Sequence, residues 1–273
     1  MYVLVSPCIL HPDLRARGIT RPDDLEAFDK FIRRCKTFNI DIVELPCPET
    51  MQFGKDREPG PFVGRMDTPE FTALLDRLES DVRRKIAAEK PLAIIGVNSS
   101  PTCGATTTYY TDTRSAGAGM FLKRFTDTVP ILDVKDCARY SIYFAAPLFS
   151  DAERAFNRNV ADELANLFYD VHLPQELDDD AHARAENREA LIYKENLAAL
   201  QASDIVVAVI DGADADSGTA WEMGYAAAKG KRILALRTDF RRFSAAEAVN
   251  LMLETEAEVC TSVDELLARL KQF

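Results

Sequence analysis

The stretch Asp204-Ile-Val-Val-Ala-Val-Ile-Asp211-Gly-Ala-Asp214-Ala-Asp216-Ser-Gly-Thr-Ala-Trp-Glu222 has the spacing of carboxylate chemistry. Three Asp crowd one turn, and Glu222 follows at the start of a helical pattern over 219–229 that Gly230 stops. Two readings of Glu222 stand side by side. Thr219-x-x-Glu222 is the capping-box pattern, in which the carboxylate only ties down its own helix. The other reading is a nucleophile. A carboxylate in a helix's first turn sits among free N–H groups that favour its ionised form. Such a group beneath a sugar can attack the anomeric carbon and form a glycosyl-enzyme intermediate. Asp216, six residues earlier, is placed to hold a sugar hydroxyl. A calcium loop starting at Asp211 fails, because Ala213 and Ala215 stand where acids are needed.

A second constellation is sulfur. Cys8, Cys47 and Cys103 each follow a strand-like run and each has a Pro within the two preceding residues, which stiffens the turn. In a parallel sheet the carboxyl ends share one edge, so the three thiols can converge. Three thiolates suit an iron–sulfur cluster with one open iron, or zinc with an open fourth position. The plainer reading of any one of them is a buried free Cys; Cys35, Cys137 and Cys260 lack this setting and read as core or surface thiols. His11, His172 and His182 are scattered and receive no metal role. Trp221 reads as packing. Phe144 and Phe149, near a strand end, suit either burial or a base-flanking place.

These residues need a scaffold, and the pattern supplies an α/β one. Strand-like runs at 2–6, 40–45 and 92–97 alternate with helical patterns at 23–38 and 68–90, which is βαβαβ. A polar loop over 98–113 and a short helix over 116–128 follow. A second unit begins near Cys137. Strands are expected at 140–146, 171–173, 205–210, 232–237 and 258–260. Helices are expected at 150–169, 187–202, 219–229, 245–253 and 262–272, with an acidic stretch at 178–186. Ser150 and Glu153 form a capping box. The fold class is α/β: two Rossmann-like or flavodoxin-like parallel-sheet units packed in one chain, with domains at 1–137 and 138–273.

The bulk numbers exclude several classes. A chain of 273 residues with 47% hydrophobic residues can bury one large core or two modest ones. Its apolar runs are too short to span a membrane, and six Cys are too sparse for a disulfide framework, so a cytoplasmic protein is expected. The net charge of −11 is uneven: 19 basic and 20 acidic residues lie in 1–137, against 14 and 24 in 138–273. The second half would repel a phosphate backbone, so no nucleic acid and no membrane is expected as partner.

With Ile142-Tyr143-Phe144-Ala145-Ala146 and Gly230-Lys231, the Asp216–Glu222 stretch resembles the nucleoside 2-deoxyribosyltransferases over about 138–240. The resemblance implies base exchange on 2-deoxyribose with retention, through a covalent deoxyribosyl-glutamate. It makes Glu222 the nucleophile, Asp216 the sugar anchor and Tyr143 the group that orients the nucleophile. Gly218 and Phe144 join the substrate-binding set. Where the family commonly has a base-handling Asp, this chain has Asn196, beside Glu195; an amide can hydrogen-bond a base but is no general acid. The resemblance requires no cofactor in this half and implies a homo-oligomer acting on a small nucleoside or nucleobase. Nucleosides fit better than 5′-phosphates, which Asp216 would repel.

Cys47-Pro-Glu49 and Ser100-Pro-Thr-Cys103-Gly104 resemble the thiouracil desulfurase family, over about 1–125. That implies a [4Fe–4S] cluster on Cys8, Cys47 and Cys103, with Glu49, Ser99 and Ser100 as polar groups near it. The family's Arg-Tyr-Asp-Gly after the first Cys is replaced here by Ile-Leu-His11-Pro-Asp. The combined expectation is an enzyme that cleaves or transfers at the N-glycosidic bond, coupled to handling of a thiolated base. The alternatives are a non-catalytic nucleotide-like ligand-binding or redox-sensing module, and an Fe–S-dependent desulfurase whose second domain only binds substrate.

Overall fold

A computed structural model describes residues 1–177, 187–241 and 249–273. The acidic stretch at 178–186, His182 within it, and part of the expected 245–253 helix lie outside the described residues. The chain divides into two compact units, Met1–Arg139 with Gln272–Phe273, and Tyr140–Lys271.

In the first unit, β1 (Tyr2–Val5), β2 (Asp41–Glu44) and β3 (Ile94–Gly96) are joined by α1 (Pro22–Thr37), α2 (Pro48–Phe53) and α3 (Pro69–Ala88). Val3, Leu4, Val5, Ile94 and Ile95 are fully buried, as strands covered on both faces require. α1 turns Ala27, Phe28, Phe31, Arg34 and Cys35 inward, a 3.6-residue stripe. α3 opens with Thr68 accepting from the Phe71 amide at 3.2 Å and Pro69 at its first position. It buries Phe71, Leu75, Leu78 and Val82. The 98–113 loop contains a small antiparallel pair with its continuation, β4 (Thr107–Thr108) and β5 (Ser115–Ala116). The helix expected at 116–128 is only a 3-10 turn over Leu122–Phe125. Beyond it lie β6 (Ile131–Asp133) and α4 (Val134–Cys137), so the sheet has four strands in the order β2-β1-β3-β6, all parallel. Arg34 is fully buried; its Nη1 donates to the Cys137 carbonyl at 3.0 Å, and its guanidinium lies 4.7 Å from the Phe273 ring centre.

The second unit runs β7 (Ser141–Ala145), α5 (Asp151–Asn166), β8 (Asp170–His172), α6 (Arg188–Ala202), β9 (Ile205–Val209), α7 (Ser217–Ala228), β10 (Arg232–Leu236), α8 (Leu251–Glu256), β11 (Glu258–Cys260) and α9 (Val263–Leu270). The capping box of α5 is formed: Glu153 N–H donates to Ser150 Oγ at 3.2 Å and Ser150 N–H to Glu153 Oε2 at 2.7 Å. The sheet order is β11-β10-β9-β7-β8, again all parallel. Numbered within the unit, that is 2-1-3-4-5, the flavodoxin-like winding. Its switch point lies between β7 and β9, where ligands bind at the strands' carboxyl ends. Alternation along β7 splits its side chains between two cores. Ile142 and Phe144 pack with Val160, Leu164 and Val207; Tyr143 and Ala145 pack with Leu200, Val206, Met223 and Ala226.

Candidate functional site

The turn after β9 is built by its aspartates, each with a different task. Asp211 Oδ1 accepts from the amides of Thr238 at 2.6 Å and Asp239 at 2.9 Å, tying the turn to the one after β10. Asp216 is the N-cap of α7: its Oδ2 accepts from Gly218 N–H at 2.9 Å and Thr219 N–H at 3.0 Å. This corrects the Thr219 capping box. The helix starts at Ser217, so Glu222 lies in its second turn, past the free N–H groups. Gly218 spends its amide on the cap, and a Cβ there would sit 3.0 Å from Asp216 Oδ2.

Glu222 points inward from α7 and meets β7, where the Tyr143 hydroxyl donates to its Oε1. Tyr143 is fully buried, and burial, followed by the neighbouring carboxylate, pushes its hydroxyl pKa well up, so it stays a donor. Glu222 is also shifted upward: burial is the main cause, the Asp216 charge adds, and the Tyr143 hydrogen bond opposes. The expectation that the helix terminus favours the ionised form is therefore replaced by a carboxyl held in a partly dry site, with one hydroxyl steadying its charge.

His172, at the end of β8, faces Tyr143 across the sheet. The two rings stack with centres 5.4 Å apart and planes 18° from parallel. His172 Nε2 lies 3.2 Å from Asn196 Oδ1 on α6. The sequence offered no reason to single out His172; its place beside Tyr143 depends on strand pairing. Asn196 is thereby linked through His172 to Tyr143, whereas Glu195 is exposed. Phe144 does not join them. It is fully buried on the opposite face of β7, so its substrate-binding role is corrected to core packing. Phe149 is 75% exposed. Trp221 is half exposed, stacked on Tyr225 at 5.5 Å.

In the first unit, Cys8, Cys47 and Cys103 follow β1, β2 and β3, and each thiol lies within electrostatic reach of another. Cys47 Sγ caps α2, accepting from Thr50 N–H at 3.4 Å and Thr50 Oγ1–H at 3.1 Å. Burial pushes the Cys8 thiol up to about 12, against the positive charge of Arg15, and raises Cys103 as well. Beside them runs a buried polar chain that the sequence did not reveal. Arg57 Nε donates to Glu49 Oε2 at 3.2 Å, and Thr102 Oγ1–H donates to Glu49 Oε1 at 2.7 Å. Ser100 Oγ accepts from the Cys103 amide at 3.0 Å. Asn98 Oδ1 gathers the amides of Ala105, Thr106 and Thr107 at 2.9–3.1 Å, which folds the Cys103 loop on itself. Ser99 has a φ of 69° there. The loop is closed by Gly119, where a Cβ would stand 2.5 Å from the Thr102 carbonyl carbon.

Among the described residues, no group of three or more His, Cys, Asp or Glu is arranged to hold a metal ion. The donor set fits a cluster in kind, since a cluster takes its thiolates on separate irons. Ser6 Oγ and Arg15 Nη1 are buried without a hydrogen-bond partner among the described residues. Both residues belong to the segment that carries Cys8.

Comparison with known proteins places this geometry in context. The family model described as nucleoside 2-deoxyribosyltransferase matches residues 142–262. An uncharacterised protein of Ureaplasma parvum is 32% identical over 117 residues, spanning 38% of this chain and 73% of that protein. The 2-deoxyribosyltransferase of Leishmania mexicana is 23% identical, covering 49% of this chain and 98% of that chain, with a TM-score of 0.41. A [4Fe-4S]-dependent thiouracil desulfidase is 18% identical, covering 48% of this chain and 89% of its own, with a TM-score of 0.34.

Proposed function

The chain belongs, through residues 142–262, to the nucleoside 2-deoxyribosyltransferase family, and from that premise we propose that it cleaves or transfers at the N-glycosidic bond of a (deoxy)nucleoside through a covalent intermediate on Glu222. The observation that carries this reading is the Tyr143–Glu222 hydrogen bond at the switch point of the second sheet. Tyr143 engages Oε1, which leaves Oε2 to attack the anomeric carbon. The base leaves with the electron pair of the broken C–N bond. In the second step water or another base attacks the same carbon from the vacated face and frees Glu222, so configuration is retained. The upward-shifted carboxyl pKa is a cost of the dry site and a gain in nucleophilicity once the carboxylate is ionised. Incubation with a deoxynucleoside and a second base tests the proposal. Free or exchanged base and a sugar-mass adduct on Glu222 are expected; their absence in wild type overturns it.

Asp216 serves as sugar anchor in this reading. Its capping bonds fall on Oδ2, so Oδ1 is the oxygen for a ligand hydroxyl. The two roles separate by substitution. Asp216→Asn keeps the cap, because Asn caps as well as Asp, and should leave thermal stability within a few tenths of a kcal/mol while kcat/KM falls roughly 10- to 100-fold. Asp216→Ala should lose both, with about 1 kcal/mol of stability gone. Equal activity in Asp216→Asn and wild type, measured beside a melting curve, would remove Asp216 from substrate binding.

A second reading belongs to the first unit: Cys8, Cys47 and Cys103 would hold an iron–sulfur cluster, near Glu49, Ser99 and Ser100. Such a cluster would offer an open iron to a soft atom such as the sulfur of a thiolated base. The favouring observation is that the three thiols follow the carboxyl ends of β1, β2 and β3 in one parallel sheet. Anaerobic reconstitution should give brown protein with iron and sulfide that Cys47→Ala lacks. Colourless, iron-free wild-type protein would count against it.

A further inference from the structure

The pair His172–Asn196 reaches the nucleophile through Tyr143, on which His172 stacks and whose hydroxyl meets Glu222. Asn196 presents Oδ1 to His172 Nε2 at 3.2 Å. An amide oxygen only accepts, so Nε2 carries the hydrogen and donates it. The amide's Nδ2 end, with its two donor hydrogens, is therefore the end left to turn toward a ligand. The imidazole is itself held by its stack on Tyr143, whose hydroxyl grips Glu222. Nucleophile, Tyr143, His172 and Asn196 form one connected set across β7, β8, α6 and α7. A carboxyl group at this place could give a proton to a departing base. Asn196 can give only hydrogen bonds.

We propose that Asn196, oriented by His172, is the leaving-base contact, and that it selects bases that depart as oxygen-stabilised anions (2,4-dioxopyrimidines and 6-oxopurines) over the amino bases adenine and cytosine. This rests on glycosyl transfer to Glu222. The balance closes without a proton. The C–N bond breaks with both electrons going to the base. The Glu222 carboxylate forms the C–O bond and loses its charge. One negative charge passes from Glu222 to the base, where it spreads through the ring amide onto a carbonyl oxygen that accepts from Asn196 Nδ2. The His172 donation polarises the amide and strengthens that bond. Adenine and cytosine lack such an oxyanion of low basicity and depart readily only after ring protonation, which an amide does not supply. Asn196 contacts the base; His172 acts through it and is a positioning residue.

The experiment offers deoxyuridine, deoxyinosine, deoxyadenosine and deoxycytidine to wild type, Asn196→Asp, His172→Ala and His172→Gln. It reads base release and the adduct on Glu222. Wild type should prefer deoxyuridine to deoxycytidine by about 100-fold. Asn196→Asp should gain amino-base nucleosides, most at acidic pH. His172→Ala should lower kcat/KM for deoxyuridine about tenfold, and His172→Gln, whose amide can donate the same bond, should restore part of it. Equal rates on all four nucleosides, or base ratios unmoved by Asn196→Asp, overturn the proposal. A second measurement is independent of turnover: binding of free uracil and free adenine to Glu222→Gln, by NMR titration. Uracil should bind more tightly, and adding His172→Ala should weaken it. Uracil binding no tighter than adenine overturns the base site. Uracil-selective binding without any adduct in wild type sinks glycosyl transfer and leaves the base site standing.

Discussion

Glu222→Gln removes turnover, with kcat expected to fall roughly 10⁴-fold or more, and no sugar adduct forms on the protein. The amide keeps the shape and still accepts from Tyr143, so the loss reports the nucleophile and not the fold. The same variant should be more stable than wild type at neutral pH. Glu222's folded pKa is raised above the ordinary 4.5, chiefly by burial. The stability linked to such a group is fully present below 4.5 and is lost as pH rises through the folded value. Above that value, wild type folds around a charged, partly dry carboxylate, and the amide does not. Melting temperatures across pH should therefore show Glu222→Gln above wild type at neutral pH, with the two converging below about pH 4.5. A variant less stable at every pH would mean that Glu222 is a structural group. Retained base exchange would mean that the nucleophile lies elsewhere.

Tyr143→Phe is the second large effect, and its signature is a pH profile. The hydroxyl donates to Glu222 Oε1 and lowers the carboxyl's pKa against burial and the Asp216 charge. Without it the pKa rises further. The acid limb of the rate profile, which marks ionisation of the nucleophile, should move up by about one unit, since a hydrogen bond to a charged group is worth roughly 1.5–3 kcal/mol. At neutral pH kcat should fall roughly 10- to 100-fold. KM should change less, because Tyr143 is buried and meets the nucleophile, not the sugar. A uniform drop with an unmoved acid limb would make Tyr143 a packing residue only.

What could be read from the residues depended on how local the cause was. The β9 strand was legible because Ile205–Val209 is buried on both faces and so forms an unbroken apolar run, β-branched at every position but Ala208. The start of α7 was misread by two residues. Thr219-x-x-Glu222 has the capping pattern, but Asp216 is the better cap and takes the Gly218 and Thr219 amides first. That displacement moved Glu222 into the second turn, and it is burial that turns its pKa shift upward. The same two-sided burial that revealed the strands hid the faces of β7, since alternation is invisible when both neighbours are apolar; Phe144 was misassigned for that reason. β6 is three residues long and β8 equally short, too brief for periodicity, so β6 and the position of His172 emerged only from strand pairing. The thiols were visible through their Pro neighbours. The Arg57–Glu49–Thr102 chain was not, because its members are distant in sequence and meet only in the fold.

The buried guanidinium of Arg34 ties the maturation of one unit to the synthesis of the other. Its aromatic partner, Phe273, is encoded after the whole second unit, although it belongs to the first. A nascent chain that has emerged only to residue 139 holds every strand of the first sheet, yet its fully buried arginine lacks the ring that covers it. The first unit therefore reaches its final packing only after translation has passed through the second.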